Sequence, residues 1–250
     1  MSGHNKWSTI KHKKAKTDAV KGRAFTKISM EIMAAVKAGG ADPDSNARLR
    51  LAIQNGKDVN MPNDNIKRAI ERASGGGEGV TIEEIMYEGY GPAGIALLIK
   101  VTTDNKNRAA SQVRSILEKH GGHLGSAGSV AWLFENKGII VFEPGKVKED
   151  QVMEVAVEAG AEDIISNDDG SIEVTTAPDK FLGVRAALEK AGLEMASAML
   201  SMVPKTTVDI KDAETAKKII ELIDMIEEND DVQSVYANHN IPEEIMAAVG

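Results

Sequence analysis

Residues 163–176 read DIISNDDGSIEVTT, and this stretch decides the fold. Asp163 to Ser166 and Ser171 to Thr176 form the two arms of a hairpin around Asp168-Asp169-Gly170. That triplet is a strong turn signal, because glycine reaches positive φ with no Cβ to clash. Immediately upstream, residues 148–159 place Val152, Val155, Ala156 and Ala159 on one inward helical face. Before that helix, Ile139 to Phe142 is a strand closed by Glu143-Pro144-Gly145. Downstream, Pro178 opens a helix to Lys190, Gly192 lies past its end, and residues 194–203 make a further strand. The order β-α-β-β-α-β is complete within 138–203 and predicts a ferredoxin-like split βαβ unit.

The chain before this unit opens at helical spacing and changes period first beyond Gly79. Phe25, Ile28, Ile32 and Val36 recur at helical spacing, with Thr17 or Asp18 as a cap and Gly39-Gly40 as the stop. Asp42-Pro43 reads as the opening of a second helix that buries Leu49, Ala52 and Ile53. Pro62-Asn63 opens a third, with Ile66, Ala69, Ile70 and Ala73 inward and Lys67, Arg68 and Arg72 outward. Gly75 to Gly79 reads as a linker. Beyond it the period falls to two: Ile95, Leu97, Ile99 and Val101 alternate as a half-buried strand. A helix over 105–119 comes next, ending at Gly121-Gly122, and Val130, Trp132 and Phe134 alternate as a strand again. The tail supplies a helix from Asp212 to Glu228 and a strand near 232–237, which completes the earlier β-α-β piece. The predicted class is therefore α+β. An N-terminal three-helix domain is followed by two α/β domains, one ferredoxin-like and inserted in the other. The boundaries are 1–77 for the basic helical domain, 78–137 plus 204–250 for the discontinuous α/β domain, and 138–203 for the ferredoxin-like domain.

Composition narrows the chemistry. A chain of 250 residues suits two or three small domains, and 42% apolar residues with 4% aromatics means aliphatic cores. The absence of cysteine removes disulfides, thiolate metal sites and cysteine nucleophiles. No apolar run approaches the ~20 residues that span a bilayer. The opening MSGHNKW has no hydrophobic core of a secretory signal, and the basic leader, rich in Lys rather than Arg, is read as mature protein rather than a transit peptide. Charge is sharply divided. Residues 1–72 hold 15 basic and 7 acidic side chains, whereas the rest of the chain holds 15 and 31. A basic region of +8 on a body of −16 indicates two different tasks.

The motifs that could carry catalysis fail on context. Gly89-Tyr90-Gly91-Pro92-Ala93-Gly94 matches GxGxxG, but a strand rather than a helix comes after it, and Pro92 removes a donor. It reads as a tight strand–strand connection. His120 and His123 lack the Cys, Asp or Glu neighbours of a metal site, and Asp168-Asp169-Gly170 has too few oxygen ligands for an EF-hand. Ser126 and Ser129 lie in a Gly-rich turn without a GxSxG elbow. Met195, Met199 and Met202 read as core fillers. No nucleophile, base and oxyanion donor assemble. The chain is read as non-enzymatic, with no catalytic residues, metal, cofactor or small-molecule substrate.

What remains is the basic arm, KWSTIKHKKAKTDAVKGRAFTK over residues 6–27. Its candidate nucleic-acid-binding residues are Lys6, Trp7, Lys11, His12, Lys13, Lys14, Lys16, Lys21, Arg23 and Lys27. Lys and Arg neutralise phosphates and release counterions, and Trp7 can stack on an exposed base. An amphipathic basic helix could also lie on a membrane. Here, however, the apolar face is needed for the other two helices, so no membrane is expected.

Several stretches closely resemble the YebC family: GHNKWSTIKHKKAKTDAVKGRAFTKI, DPDSNARLR, NMPNDNIKRAI, YEGYGPAGIA, DNKNR, GSAGSVAWLF, EAGAEDI and DDVQSVYAN. The resemblance covers essentially the whole chain in order. Asn5 and the Val20-Lys21-Gly22-Arg23 stretch depart from the usual pattern, and the cationic content survives. Members of that family are described as probable transcriptional regulators, and mitochondrial relatives as translational activators. The resemblance implies a three-domain, cytoplasmic, nucleic-acid-associated regulator, acting either on DNA or on the ribosome, where difficult stretches such as consecutive prolines are eased. On charge grounds ribosomal RNA is preferred and duplex DNA is the alternative, because the acidic bulk is repelled by a long duplex. Ribosomal proteins are candidate partners for the acidic body.

Overall fold

The computed structural model describes residues 19–75, 82–167 and 169–249, with side chains in the first helix from Gly22 onward. The fold is mixed α+β: three N-terminal helices, then antiparallel sheets with helices. The expected cap at Thr17 or Asp18 and the linker from Gly76 to Gly79 lie outside the described residues. The chain divides into two compact units, the first reaching Val130 and including Lys217–Ala237, the second spanning Ala131–Ala216 and the stretch from Asn238.

The first unit begins with α1 (Ala19–Gly39), α2 (Ala47–Asp58) and α3 (Asn63–Ser74). Ile32, Val36, Leu49, Ala52, Met61, Ile66 and Ala69 form one buried cluster, with Phe25, Ile28, Ile53, Ile70 and Ala73 packed around it. These are the apolar stripes that the spacing predicts. Burying each large aliphatic side chain contributes about 1.5–3 kcal/mol. One expectation is corrected. Asp42-Pro43 does not open α2; it opens a turn in which the Asp42 carboxylate accepts from the Asp44 N–H at 3.0 Å and the Ser45 hydroxyl at 3.0 Å. The helix starts four residues later because Asn46 caps it. The Asn46 Oδ1 accepts from the Leu49 N–H at 3.0 Å, and its Nδ2 donates to the Ala35 and Gly40 carbonyls, both at 2.8 Å. One side chain thus starts α2 and satisfies the end of α1. Gly39 lies against it because a Cβ there would come within 2.8 Å of the Asn46 amide.

The sheet of this unit has the order β3-β1-β2-β9: β1 Glu83–Tyr90, β2 Ala96–Thr103, β3 His123–Leu124 and β9 Val232–Ala237, all antiparallel. The expected half-buried strand, β2, is buried on both faces. Helix α1 packs on the face that carries Lys100, whose Nζ donates to Glu31 of α1 at 3.1 Å. Helix α4 (Lys106–Lys119) covers the other face, where Leu117 closes on Gly89, the cross-strand partner of Leu97. Between Glu31, Arg48, Glu84 and Lys100 runs an ion cluster. The Arg48 guanidinium donates to Glu31 at 2.9 and 3.0 Å and to both carboxylate oxygens of Glu84. Its hydrogen bonds, then its charge, hold the Glu84 carboxyl below the usual range.

The second unit is the ferredoxin-like one. Its sheet has the order β5-β6-β4-β7, from β4 Phe134–Phe142, β5 Asp163–Ser166, β6 Ile172–Thr176 and β7 Ser197–Pro204, again all antiparallel. The order of elements is the one the hairpin predicts. Helices α5 (Glu149–Glu158) and α6 (Phe181–Lys190) pack on each other, and α6 packs on β4. Gly138 makes this possible, since a Cβ there would lie 2.8 Å from the Phe181 Cβ. At the hairpin turn Gly170 has φ +81°, and Asp169 Oδ1 accepts from the Ser171 N–H at 2.9 Å. A two-stranded parallel ladder, β8 (Val208–Asp209) with β10 (His239–Asn240), completes the unit's strands, and the described chain ends in the short helix α8 (Glu243–Val249).

Two further expectations are corrected. Val130, Trp132 and Phe134 do not form a strand: Ala131–Leu133 is a 3-10 turn, and β4 runs unbroken from Phe134 to Phe142. The Val130 N–H goes to the Glu88 carboxylate at 2.7 Å instead of to a neighbouring strand, and Trp132 is left 65% exposed. Met199 is not a core filler, being 40% exposed, because β7 is an edge strand. Met195 and Met202 are half-buried.

Replacing Asn46 by Ala removes an N-cap and strips donors from two carbonyls at a buried corner. The expected loss is roughly 2–4 kcal/mol in chemical denaturation. The Glu84 carboxyl, held low in the folded state, contributes stability above its unfolded pKa near 4.5, which is lost as pH falls through the lower folded value. Acid titration of the unfolding midpoint is therefore expected to be shallower below that range in Arg48→Met than in the parent.

Candidate nucleic-acid interface

Seven of the ten arm residues singled out in the sequence, Lys6, Trp7, Lys11, His12, Lys13, Lys14 and Lys16, lie outside the described residues. Lys21 falls in α1, with its side chain outside the described part. The remaining two, Arg23 and Lys27, sit one turn apart on α1 and face the C-terminal end of α7 (Ala213–Glu227). The Lys27 ammonium donates to the Glu227 carbonyl at 2.7 Å, and the Arg23 guanidinium approaches the Glu228 carboxylate at 3.6 Å. A helix C-terminus presents unsatisfied carbonyls and partial negative charge, so two cations one turn apart are a natural clamp for it. Both side chains are already spent on the body of the unit.

Other cations of this unit are also engaged. Arg48 and Lys100 belong to the ion cluster, Arg50 donates to the Pro43 and Asp44 carbonyls at 2.7 and 3.2 Å, and Lys106 lies 3.9 Å from Glu83. Arg108 ties α4 to the loop before β9 through Asp231 at 2.9 Å and reaches Asp104 at 2.9 Å. Lys67, Arg68 and Arg72 on α3 are exposed and make no ion pair among the described residues, a trait they share with Lys57, Arg114 and Lys119, but they alone form a row on one helix face. The signal that could have placed them in the candidate site was present, since they occupy the outward face of an amphipathic pattern.

The glycine-rich stretch is a hairpin connection, as its context predicts. Strand β1 enters it, a short 3-10 turn (Pro92–Gly94) bends it, and β2 leaves antiparallel to β1. Gly94 takes φ +71° and Ala93 takes φ 58°. Gly89 permits a close pass, because a Cβ there would sit 2.8 Å from the His123 carbonyl oxygen. His120 comes just after the end of α4, and His123 stacks on Tyr90 with ring centroids 5.3 Å apart. Among the described residues no group of three or more His, Asp or Glu could hold a metal ion. None of their helices is long and apolar enough to cross a membrane.

Glu88, which motif reading missed, organises the Ser-rich turn. Its buried carboxylate accepts from the Gly128 N–H at 2.6 Å and the Val130 N–H at 2.7 Å, and its own carbonyl accepts from the Gly125 N–H at 2.8 Å. Charge-assisted bonds of this kind are about twice as strong as neutral ones. They hold residues 125–130 against β1, ahead of the exposed Trp132. An acidic residue in a strand gives no sequence signal that its carboxylate will be buried among backbone amides.

Two family models match the chain: the TACO1/YebC protein N-terminal domain over residues 5–76, and the TACO1/YebC second and third domain over 82–239. A protein of Sulfurihydrogenibium sp. named a probable transcriptional regulatory protein is 53% identical over 98% of both chains. A protein of Rubrobacter xylanophilus, likewise named a probable transcriptional regulatory protein, is 54% identical, over 100% of this chain and 99% of its own. The crystal structure of a conserved hypothetical protein from Aquifex aeolicus is similar at a TM-score of 0.83 and 45% identity, covering 92% of this chain and 95% of that one. With both family models matched in order and half-identical relatives aligned end to end, the chain belongs to the TACO1/YebC family.

Proposed function

We propose that this protein is a non-enzymatic, nucleic-acid-binding regulator of gene expression, and that it works as an RNA- and ribosome-associated translation factor in the cytoplasm. The observation that carries the reading is the division of charge, +8 in residues 1–72 against −16 in the remainder. A polyanion attracts the first region and repels the second. A structured RNA surrounded by protein accommodates both, with the arm on phosphates and the acidic sheets towards basic ribosomal proteins. A long naked duplex accommodates only the arm. The labour divides among three parts: a gripping part at 1–77, a discontinuous part at 78–137 plus 204–250, and a ferredoxin-like part at 138–203. Within the first, Lys6, Trp7, Lys11, His12, Lys13, Lys14 and Lys16 supply phosphate contacts and stacking. Lys21 adds charge, while Arg23 and Lys27 serve first to seat α1. The finer step, easing elongation through difficult stretches, is supported by the family resemblance alone.

The second reading, a DNA-binding transcriptional regulator, is favoured by the names of the curated relatives. Two measurements separate the readings. Co-sedimentation with ribosomes at moderate salt is expected for the parent, and charge reversal at Lys11, Lys13 and Lys14 is expected to weaken it by roughly tenfold or more. Absence of the parent from the ribosome pellet, with protection of a defined promoter sequence in footprinting, would instead establish the DNA reading.

A further inference from the structure

We infer that the outward row of α3, formed by Lys67, Arg68 and Arg72, is a second phosphate-contacting surface, separate from the N-terminal arm. The inference deepens the nucleic-acid reading above and rests on it. Its ligand is the phosphodiester backbone, which RNA and DNA share.

Three observations point the same way. First, these cations make no ion pair among the described residues. Arg23, Lys27, Arg48, Arg50, Lys100, Lys106 and Arg108, in the same compact unit, each bind a carboxylate or a carbonyl of the protein. Asp64 and Glu71 stand at i,i+4 spacing from Arg68 and Lys67, yet neither comes within ion-pair distance of them. Such pairs do close elsewhere on the chain, as at Arg185 with Glu189.

Second, the row is displayed by a rigid element. Ile66 and Ala69 bury the opposite face of α3 in the bundle core. The α2–α3 turn is fixed by Asn60 at φ 59° and by the Met61 N–H, which donates to the Gly56 carbonyl at 2.9 Å. Met61 itself is buried in the same core. A site on an anchored helix loses little backbone entropy on binding, unlike one on a loop. Third, the spacing suits a backbone: Arg68 and Arg72 lie one turn apart, with Cβ atoms ~5–6 Å from each other, and Lys67 widens the row. Arginine forks can meet phosphate oxygens in pairs.

The test is the salt dependence of binding by the full-length protein. The probes are an RNA hairpin and a DNA duplex of matched length, titrated at several salt concentrations. In K67A/R68A/R72A the slope of log K against log salt is expected to be shallower by about 2–3, since each lost phosphate contact removes ~0.7–0.9. Alanine preserves helix propensity, and K67Q/R68Q/R72Q serves as a second neutralised variant. A control, K146A/K180A/K190A, removes the same charge from the acidic unit and is expected to leave the slope unchanged. A drop on the RNA probe alone assigns the row to RNA backbone; an equal drop on both assigns it to phosphate of either source. The inference is overturned if both α3 variants keep the parental slope, or if the control loses as much as they do. Failure of the parent to bind either probe would overturn the nucleic-acid reading itself.

Discussion

Strand β2 is buried on both faces, and the first unit is built around that constraint. An antiparallel strand with one wet face tolerates a shift of what packs on the other. A strand covered on both sides does not. Ile95, Leu97, Leu98, Ile99 and Val101 are all essentially sealed from solvent. With α1 on one side and α4 on the other, the one charged residue within β2, Lys100, must find anionic partners where it emerges. It does so at Glu31 and Glu84, and Arg48 closes the cluster by holding both carboxylates. The helical bundle is thereby seated on the sheet by an apolar face and locked at the rim by charge. The rim pairs are partly exposed, so their role is to fix register more than to supply stability.

That seating gives meaning to the distribution of cations. Basic residues that face the sheet or the end of α7 are consumed in building the unit. Basic residues on the far side of α3 make no ion pair among the described residues. The net charge of a region is therefore a poor guide to its binding surface when taken alone. Arg23 and Lys27 belong to the basic run by sequence but to the scaffold by geometry, whereas Lys67, Arg68 and Arg72 lie outside that run and stay exposed. The +8 of the first 72 residues is real, and only part of it faces outward.

The ferredoxin-like unit shows how little separates a sealed face from an open one. Gly138 lets Phe181 approach β4, and Phe142, Val174, Val184 and Leu188 are fully buried. On edge strand β7 of the same sheet, Met199 and Leu200 stay exposed. The outer surface of α5 carries Met153 and Val157 one turn apart, beside Glu154 and Glu158.

By itself the sequence determined what local periodicity and turn chemistry can encode. The hairpin at 163–176, the β-α-β-β-α-β order around it, the three helical stripes before Gly75 and the strand at 232–237 were all legible. So was the reading of the GxGxxG stretch as a hairpin connection, because it leads into the strand β2 and not into a helix. Tertiary structure alone decided the rest. The start of α2 moved from Pro43 to Ala47 because Asn46 answers carbonyls of α1 that no local rule can see. Val130 to Phe134 broke its alternation because the Val130 amide is taken by Glu88, forty-two positions away in sequence. That Arg23 and Lys27 would be drawn inward was equally hidden, since it depends on where an acidic helix end from near the C-terminus comes to rest. Periodicity is a property of neighbours along the chain. Partnership is a property of neighbours in space.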